Sequence, residues 1–404
     1  MKILSVVGAR PNFMKIAPFI KAINSYNQQL KANNFPPLGG IKGGINHILV
    51  HTGQHYDDRM SRAFFEQLGI PEADINLGVG SGTHAEQVGY TMIEFEKVLK
   101  SEKPDWVVVV GDVNAILACS VTAKRENIKC CHIEAGLRSG DMSMPEEINR
   151  LVADRISDLL LTPDLVSSGN LLKEGIPKNH IRFVGNIMID TLEANRIKAE
   201  SFDIAETCKK NLITNSGFDF QNLPVIDFAV LTLHRPSNVD NREVLEPIVR
   251  FIIDEVCPER YLIWTLHPRT RKMLKSFDLF EEVCKQKNLI LLEPLSYLEM
   301  LKLNMNARVM LTDSGGLQEE CTILGTPCLT LRWNTERPIT LQEHGGASIL
   351  VGNNIVMIRK EYNNAIAKPR KPMHPELWDG HAAERCLRAI LDYDAVSSVE
   401  EVNS

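Results

Sequence analysis

The chain contains no apolar run approaching the ~20 residues that a bilayer demands, so no membrane-spanning helix is expected. Aromatic residues make up only 6%, too few for the stacking platforms that hold single-stranded nucleic acid. Positive charge is not in excess either. A formal charge of -6 argues against broad binding to nucleic acid or acidic membrane, while leaving room for a local basic pocket around a phosphorylated small molecule. The nine cysteines are odd in number and include no CxxC pair. They mostly lie in apolar segments and read as reduced core residues of a cytoplasmic protein, with no metal site expected. Cys130 and Cys131 are adjacent, but neighbours in a strand point to opposite faces. The apolar run at the start is too short for a signal-peptide core and is cut off by Arg10.

What is present suits a globular protein with two cores. At 404 residues and 44% hydrophobic content, the chain exceeds what one core serves, and two domains of about 180 to 200 residues are expected. Short apolar runs alternate with helical spacing at Lys2–Val7, His47–His51, Trp106–Val110, Ile128–Ile133, Leu159–Thr162 and Ile181–Val184. The alternation resumes at Phe228–Thr232, Tyr261–Leu266, Leu289–Leu292, Val309–Thr312 and Cys328–Leu331, and the spacing between such runs predicts helices at Asp58–Leu68 and Val244–Glu255. This α/β pattern predicts two parallel sheets, each covered by helices on both faces, facing one another so that their carboxyl ends line a cleft. Gly185-Asn186 marks the exit from the first domain, which gives 1–186 and 187–378. Leu30–Asn46, with two prolines and four glycines, reads as an exposed excursion, and the tail Ser397–Ser404 as disordered.

The densest chemistry lies in His132–Arg150, HIEAGLRSGDMSMPEEINR, which follows an apolar strand and runs into a helix. Ahead of it, the β-branched run Trp106–Val110 ends in Gly111-Asp112, where a buried parallel strand presents a side chain to a crevice. Asp112, Glu134 and Glu146 are therefore candidates to meet. Converging carboxylates oppose one another's charge, so at least one is expected near neutrality, as acid/base chemistry on a weakly acidic carbon requires. The plainer alternative makes them helix caps and surface ion pairs. Arg138, Glu147 and Arg150 have the charge spacing to orient the three. Near the amino end, Gly8-Ala9-Arg10-Pro11 turns from strand to helix. Backbone N–H groups there favour an anion and Arg10 and Lys15 add charge, although Arg10 could equally pair with a carboxylate.

In the second half, Thr312–Glu320, TDSGGLQEE, joins a strand end to a hydroxyl, two glycines and a helix. That arrangement suits a diphosphate on Ser314, Gly315 and Gly316 at the helix N-terminus, or else Asp313 or Ser314 is simply a cap. The motif has neither the GK[ST] of a Walker loop nor a GxGxxG fingerprint. Glu320 would repel phosphate but could accept from ribose hydroxyls, and Arg337 follows the last strand within reach of the same ligand. His234 ends a strand, a place where a lone histidine is more often structural.

Taken in order, GARPNFMK, HTGQHYD, VVVVGD, HIEAGLRSGD, MPEEINR, TLHRPSNVD, HPRTRK, LTDSGGLQEE and NTERP resemble the non-hydrolysing UDP-N-acetylglucosamine 2-epimerases, over residues 2 to about 391. The resemblance implies the GT-B fold, two Rossmann-like doubly wound domains across a cleft, with a C-terminal helix, 379–404, crossing back to complete the first. It implies exchange of UDP-N-acetylglucosamine and UDP-N-acetylmannosamine without nicotinamide or metal, by anti elimination of UDP to 2-acetamidoglucal and re-addition. Asp112, Glu134, Glu146 and His234 fall on the family's catalytic positions. Arg10, Lys15, Ser314, Gly315, Gly316, Glu320 and Arg337 fall on its substrate-binding ones. Gln54 and His55 match an allosteric site of some members, where the surrounding residues here differ. A cytoplasmic homodimer with no nucleic-acid or membrane partner is implied. Rival readings are an epimerase of a related UDP-sugar such as a 2,3-diacetamido uronic acid, a hydrolysing epimerase, a GT-B glycosyltransferase, and a non-catalytic UDP-sugar sensor.

Overall fold

The computed structural model describes residues 1–8, 10–32, 43–53, 69, 71–213, 220 and 227–402. Side chains are described except at positions 10, 11 and 396–402. The predicted helix at 58–68, most of the excursion 30–46, and Gln54 and His55 lie outside these residues. The chain divides into two compact units, Met1–Ala194 with Pro375–Ser404, and Asn195–His374.

The first unit is built on a seven-stranded sheet in the order β3-β2-β1-β4-β5-β6-β7, every adjacent pair parallel. The strands are β1 Lys2–Val7, β2 Asn46–His51, β3 Ile75–Asn76, β4 Trp106–Val110, β5 Lys129–Ile133, β6 Leu159–Thr162 and β7 Ile181–Phe183. All five residues of β4 are buried, which is why it reads as an unbroken apolar run and not as an alternating one. The chain leaves β1 for β2 and β3, then returns to lay β4 on β1's other side. Between β1 and β4 the winding reverses, and the loops at their carboxyl ends part to leave a crevice.

The second unit repeats the device with six parallel strands in the order β10-β9-β8-β11-β12-β13. These are β8 Ala229–Thr232, β9 Leu262–Thr265, β10 Leu289–Leu292, β11 Val309–Thr312, β12 Cys328–Thr330 and β13 Ser348–Leu350. Its reversal falls between β8 and β11. Alternate residues feed two cores. Ala229 and Leu231 pack with Trp264 on one face, while Phe228 and Val230 pack with Ile263 on the other.

The two parallel α/β sheets are as expected, with three local differences. Strands β3 and β13, of two and three residues, are too short to show a periodicity and were not predicted. The helix expected over 244–255 runs Arg242–Phe251 and closes in a π turn, Ile252–Val256. The closing helix, Ala382–Val402, extends through most of the segment expected to be disordered. It belongs to the first unit: Asp190 accepts from the N–H groups of Ala382 and Ala383 at 3.0 and 2.7 Å, capping the helix start, and Trp378 donates to the Pro163 carbonyl at 2.9 Å. No helix among the described residues is long and apolar enough to cross a membrane.

Candidate active site

The crevice of the first sheet is organised around Gly111, the residue after β4. Its φ is +79°, and a Cβ there would lie 3.1 Å from both Asn12 Nδ2 and Lys15 Nζ and 3.4 Å from Glu134 Oε2. Glycine is required because these polar side chains crowd the backbone. Asn12 and Lys15 come from the helix Arg10–Lys31 that follows β1; Asn12 donates to the Val110 carbonyl at 2.7 Å, and Lys15 forms a buried ion pair with Glu134. Glu134 itself has φ +74°, a left-handed conformation that costs a non-glycine residue and persists only where surroundings enforce it. Its N–H and that of Ala135 both reach the Leu161 carbonyl at 3.0 Å.

Asp112 is gripped from the helix Pro145–Ile156. Arg150 donates to its carboxylate at 2.6 Å and Asn149 to its carbonyl at 2.8 Å. The guanidinium also binds Glu147 at 2.5 Å, and Glu147 accepts from the N–H groups of Ser139 and Gly140 at 3.0 and 2.9 Å. Burial pushes the Glu147 carboxyl up, but these donors outweigh it and hold the group below its ordinary value. The structure therefore brings Asp112 and Glu134 to one glycine, with Arg150 and Glu147 bracing the first of them. Glu146 occupies the first turn of the same helix, half-buried, and makes no ion pair among the described residues.

Arg138, expected to orient the carboxylates, goes elsewhere: its guanidinium pairs with Asp154 and Glu174, both at 2.7 Å. Asp154 was missed from the sequence, although Glu147, Arg150 and Asp154 share a helix face and are all buried. Its carboxylate also meets His132 Nδ1 at 2.6 Å and the Gly136 N–H at 3.0 Å, while His132 Nε2 donates to the Gly111 carbonyl at 2.8 Å. Through Asp154, Arg138 thus helps clamp the turn that carries Glu134.

In the second unit, His234 follows β8 and Asp313 follows β11, the two strands flanking the reversal. His234 Nδ1 lies 2.7 Å from Asp313 Oδ1, with the histidine side chain 42% exposed and the aspartate wholly buried. Ser314 precedes the helix Gly315–Leu324 and gives it no side-chain cap, and the opening glycines are half-exposed. A helix start so arranged presents N–H groups to an anion. A Cβ on Gly315 would lie 2.7 Å from Arg337 Nη1, so the glycine lets the guanidinium lie over the turn. Arg337 is held there by Glu319 at 2.8 Å and by Glu336, and Glu336 by Arg332 at 2.6 Å. Glu320 lies inside the same helix, accepts from Asn304 at 3.4 Å, and is pushed up to about 7 by burial. Arg10 has no described side chain. Among the described residues, no group of three or more His, Cys, Asp or Glu is placed to hold a metal ion.

Residues 41–391 match the family model described as UDP-N-acetylglucosamine 2-epimerase. The UDP-N-acetylglucosamine 2-epimerase of Methanocaldococcus jannaschii is 41% identical over 394 residues, which is 97% of this chain and 99% of that protein. Its crystal structure in complex with UDP-GlcNAc and UDP is similar with a TM-score of 0.83 at 42% identity, covering 97% of this chain and all of that one. The UDP-2,3-diacetamido-2,3-dideoxy-D-glucuronate 2-epimerase of Pseudomonas aeruginosa is 37% identical over 372 residues, 91% of this chain and 93% of that protein.

Proposed function

The chain belongs to the UDP-N-acetylglucosamine 2-epimerase family, and from that membership we propose how its residues carry out the reaction. It is an epimerase of the GT-B type that interconverts UDP-N-acetylglucosamine and UDP-N-acetylmannosamine by inverting C2. The C2 proton is not adjacent to a carbonyl, so simple deprotonation lacks a resonance-stabilised anion. Elimination supplies the driving force. A carboxylate takes the C2 proton, the C–H electrons form a C1=C2 bond, and the C1–O bond breaks with its electron pair going to UDP. Reprotonation of the 2-acetamidoglucal on its other face, with return of UDP to C1, gives the epimer.

In this scheme Glu134 and Glu146 share the proton transfers and Asp112 assists. His234, Arg337 and the Ser314-Gly315-Gly316 turn stabilise the departing diphosphate, with Arg10 as a further cation, while Lys15 is taken up by its ion pair with Glu134. The observation that carries the assignment is the enforced left-handed Glu134 beside Asp112 at the Gly111 crossing, since strain retained at a carboxylate marks a position held for chemistry. Incubation with UDP-N-acetylglucosamine in deuterated water is expected to yield UDP-N-acetylmannosamine labelled at C2. Unlabelled product would exclude elimination through a solvent-exchanging base, and release of free sugar would indicate hydrolysis.

The diacetamido-uronate relative gives a second substrate a specific claim, because such an enzyme would need the same proton chemistry. Relative kcat/KM on the two UDP-sugars decides between them. The nine free thiols support action in a reducing cytoplasm, and the family resemblance supports a homodimer.

Glu320 offers a pH test of the nucleotide site. If it accepts from the ribose hydroxyls it must bind as the carboxylate, and burial keeps it protonated below about 7. Uridine, which has no phosphate of its own to titrate, is therefore expected to bind more tightly as pH rises from 5.5 toward 7, by up to about tenfold per unit, and then to level off. Glu320→Gln should flatten the profile. A flat wild-type titration would remove Glu320 from the ribose contact.

A further inference from the structure

We infer that Asp313 is the positioning residue for His234, binding the proton on Nδ1 so that Nε2 is the nitrogen presented to the leaving diphosphate; the role of His234 in that step rests on the epimerase reading above. The pairing arises from topology. β8 and β11 run side by side with Thr232 opposite Thr312, so the residues just past each strand end meet although they are 79 positions apart in sequence.

Asp313 is wholly buried, and its other partners can only donate. Its oxygens accept the His234 N–H at 3.0 and 3.2 Å, the Arg235 N–H at 2.8 Å and Asn238 Nδ2 at 3.1 Å. Burial pushes this carboxyl up, but His234 and the two backbone donors prevail and hold it below the usual carboxylate range. It is therefore an anion with a fixed orientation, and Nδ1 at 2.7 Å must carry a proton to meet it.

The charged and titratable groups around His234 comprise Asp313, its neighbour Arg235, which donates to the Asp313 carbonyl at 3.0 Å, and His267 at the start of the helix Pro268–Ser276, followed by Arg269. The His267 ring lies 5.8 Å from that of His234, and its Nδ1 accepts the Arg269 N–H at 3.2 Å. Its proton therefore sits on Nε2. Burial, then the His234 charge, push His267 down, while Arg269 is itself neutralised by Asp240. The two neighbouring histidines are thus opposite tautomers. Only His234 has a buried anion behind it, so it alone is equipped to become an imidazolium, donating from Nε2 once that nitrogen has taken up a proton, as charge grows on the diphosphate oxygen.

Full-length protein labelled with 15N-histidine tests this directly. Long-range 1H–15N spectra at pH 8, assigned with His234→Gln and His267→Gln, are expected to show the Nδ1–H tautomer at His234 and the Nε2–H tautomer at His267. An Nε2–H tautomer at His234 overturns the inference, and it does so whatever the enzyme's substrate, so this result is separable from failure of the epimerase reading. In turnover, Asp313→Asn should lower kcat about 100-fold, move the alkaline limb of its pH profile to lower pH, and leave uridine affinity within about twofold, with partial recovery in Asp313→Glu. A kcat within about threefold of wild type would also refute it. Should Asp313→Asn fail to fold, the wild-type spectrum decides alone.

Discussion

Glu134→Gln is expected to reduce epimerisation by about 10^3-fold or more and to stop solvent deuterium from entering C2. Glutamine has the same shape and can still accept from Lys15, but it cannot take the C2 proton. The nucleotide turn belongs to the other compact unit, so UDP affinity should survive. Stability will not be unchanged. Lys15 and Glu134 are 6% and 4% exposed, and neutralising one leaves a buried cation without its counter-charge, a loss of about 3 kcal/mol. Adding Lys15→Met should recover most of that loss without restoring turnover, which separates the chemical role of the carboxylate from its structural one. Measurement of C2 exchange by NMR and of melting in the same samples decides the matter. Exchange at the wild-type rate would remove Glu134 from the mechanism.

The second large effect is predicted for Arg150→Met. Arg150 is 1% exposed and holds both Asp112 and Glu147, so an apolar side chain of similar length leaves two carboxylates without their shared cation. A stability loss of about 3 to 5 kcal/mol is expected, with turnover reduced about 100-fold because Asp112 loses its orientation. The pH dependence has a definite sign. The Glu147 carboxyl is depressed in the folded state, so its stabilisation is present above its unfolded value and is lost as pH falls through the folded one. The variant's deficit should therefore shrink on acidification, as Glu147 takes up a proton and no longer needs a cation. Adding Glu147→Gln should recover stability at neutral pH and leave turnover low. Denaturant unfolding at pH 4 and pH 7 checks both; a deficit that grows in acid would show that the Arg150–Glu147 pair is not its source.

Much of this architecture is legible in the sequence. Trp106–Val110 could only be a doubly covered strand, because five consecutive large apolar residues leave neither face for water. Asp112 and Glu134 are legible as site candidates for a related reason: each follows such a strand within a residue or two, where a parallel α/β sheet opens, whereas His234 stands in a like place but becomes a candidate only through the family resemblance. The short strands Ile75–Asn76 and Ser348–Leu350 were not readable, since two or three residues carry no period. Nor could charge spacing tell Arg138 from Arg150. Both lie near the acidic stretch, but only Arg150 sits on the helix face that Asp112 reaches. Asp313 looked like a helix cap, and nothing local marks it as the partner of a histidine.

The residues and their periods by themselves determined the two parallel sheets, and the motifs in their order carried the resemblance to the family. The tertiary structure decided the partners. Lys15 and Glu134 are 119 positions apart, His234 and Asp313 79, and Asp112 and Arg150 38. Each pairing depends on which strands and helices lie side by side. An apolar run specifies that a strand is buried without specifying its neighbour, so strand order, and with it the charge environment of every catalytic candidate, is settled only when the whole chain packs.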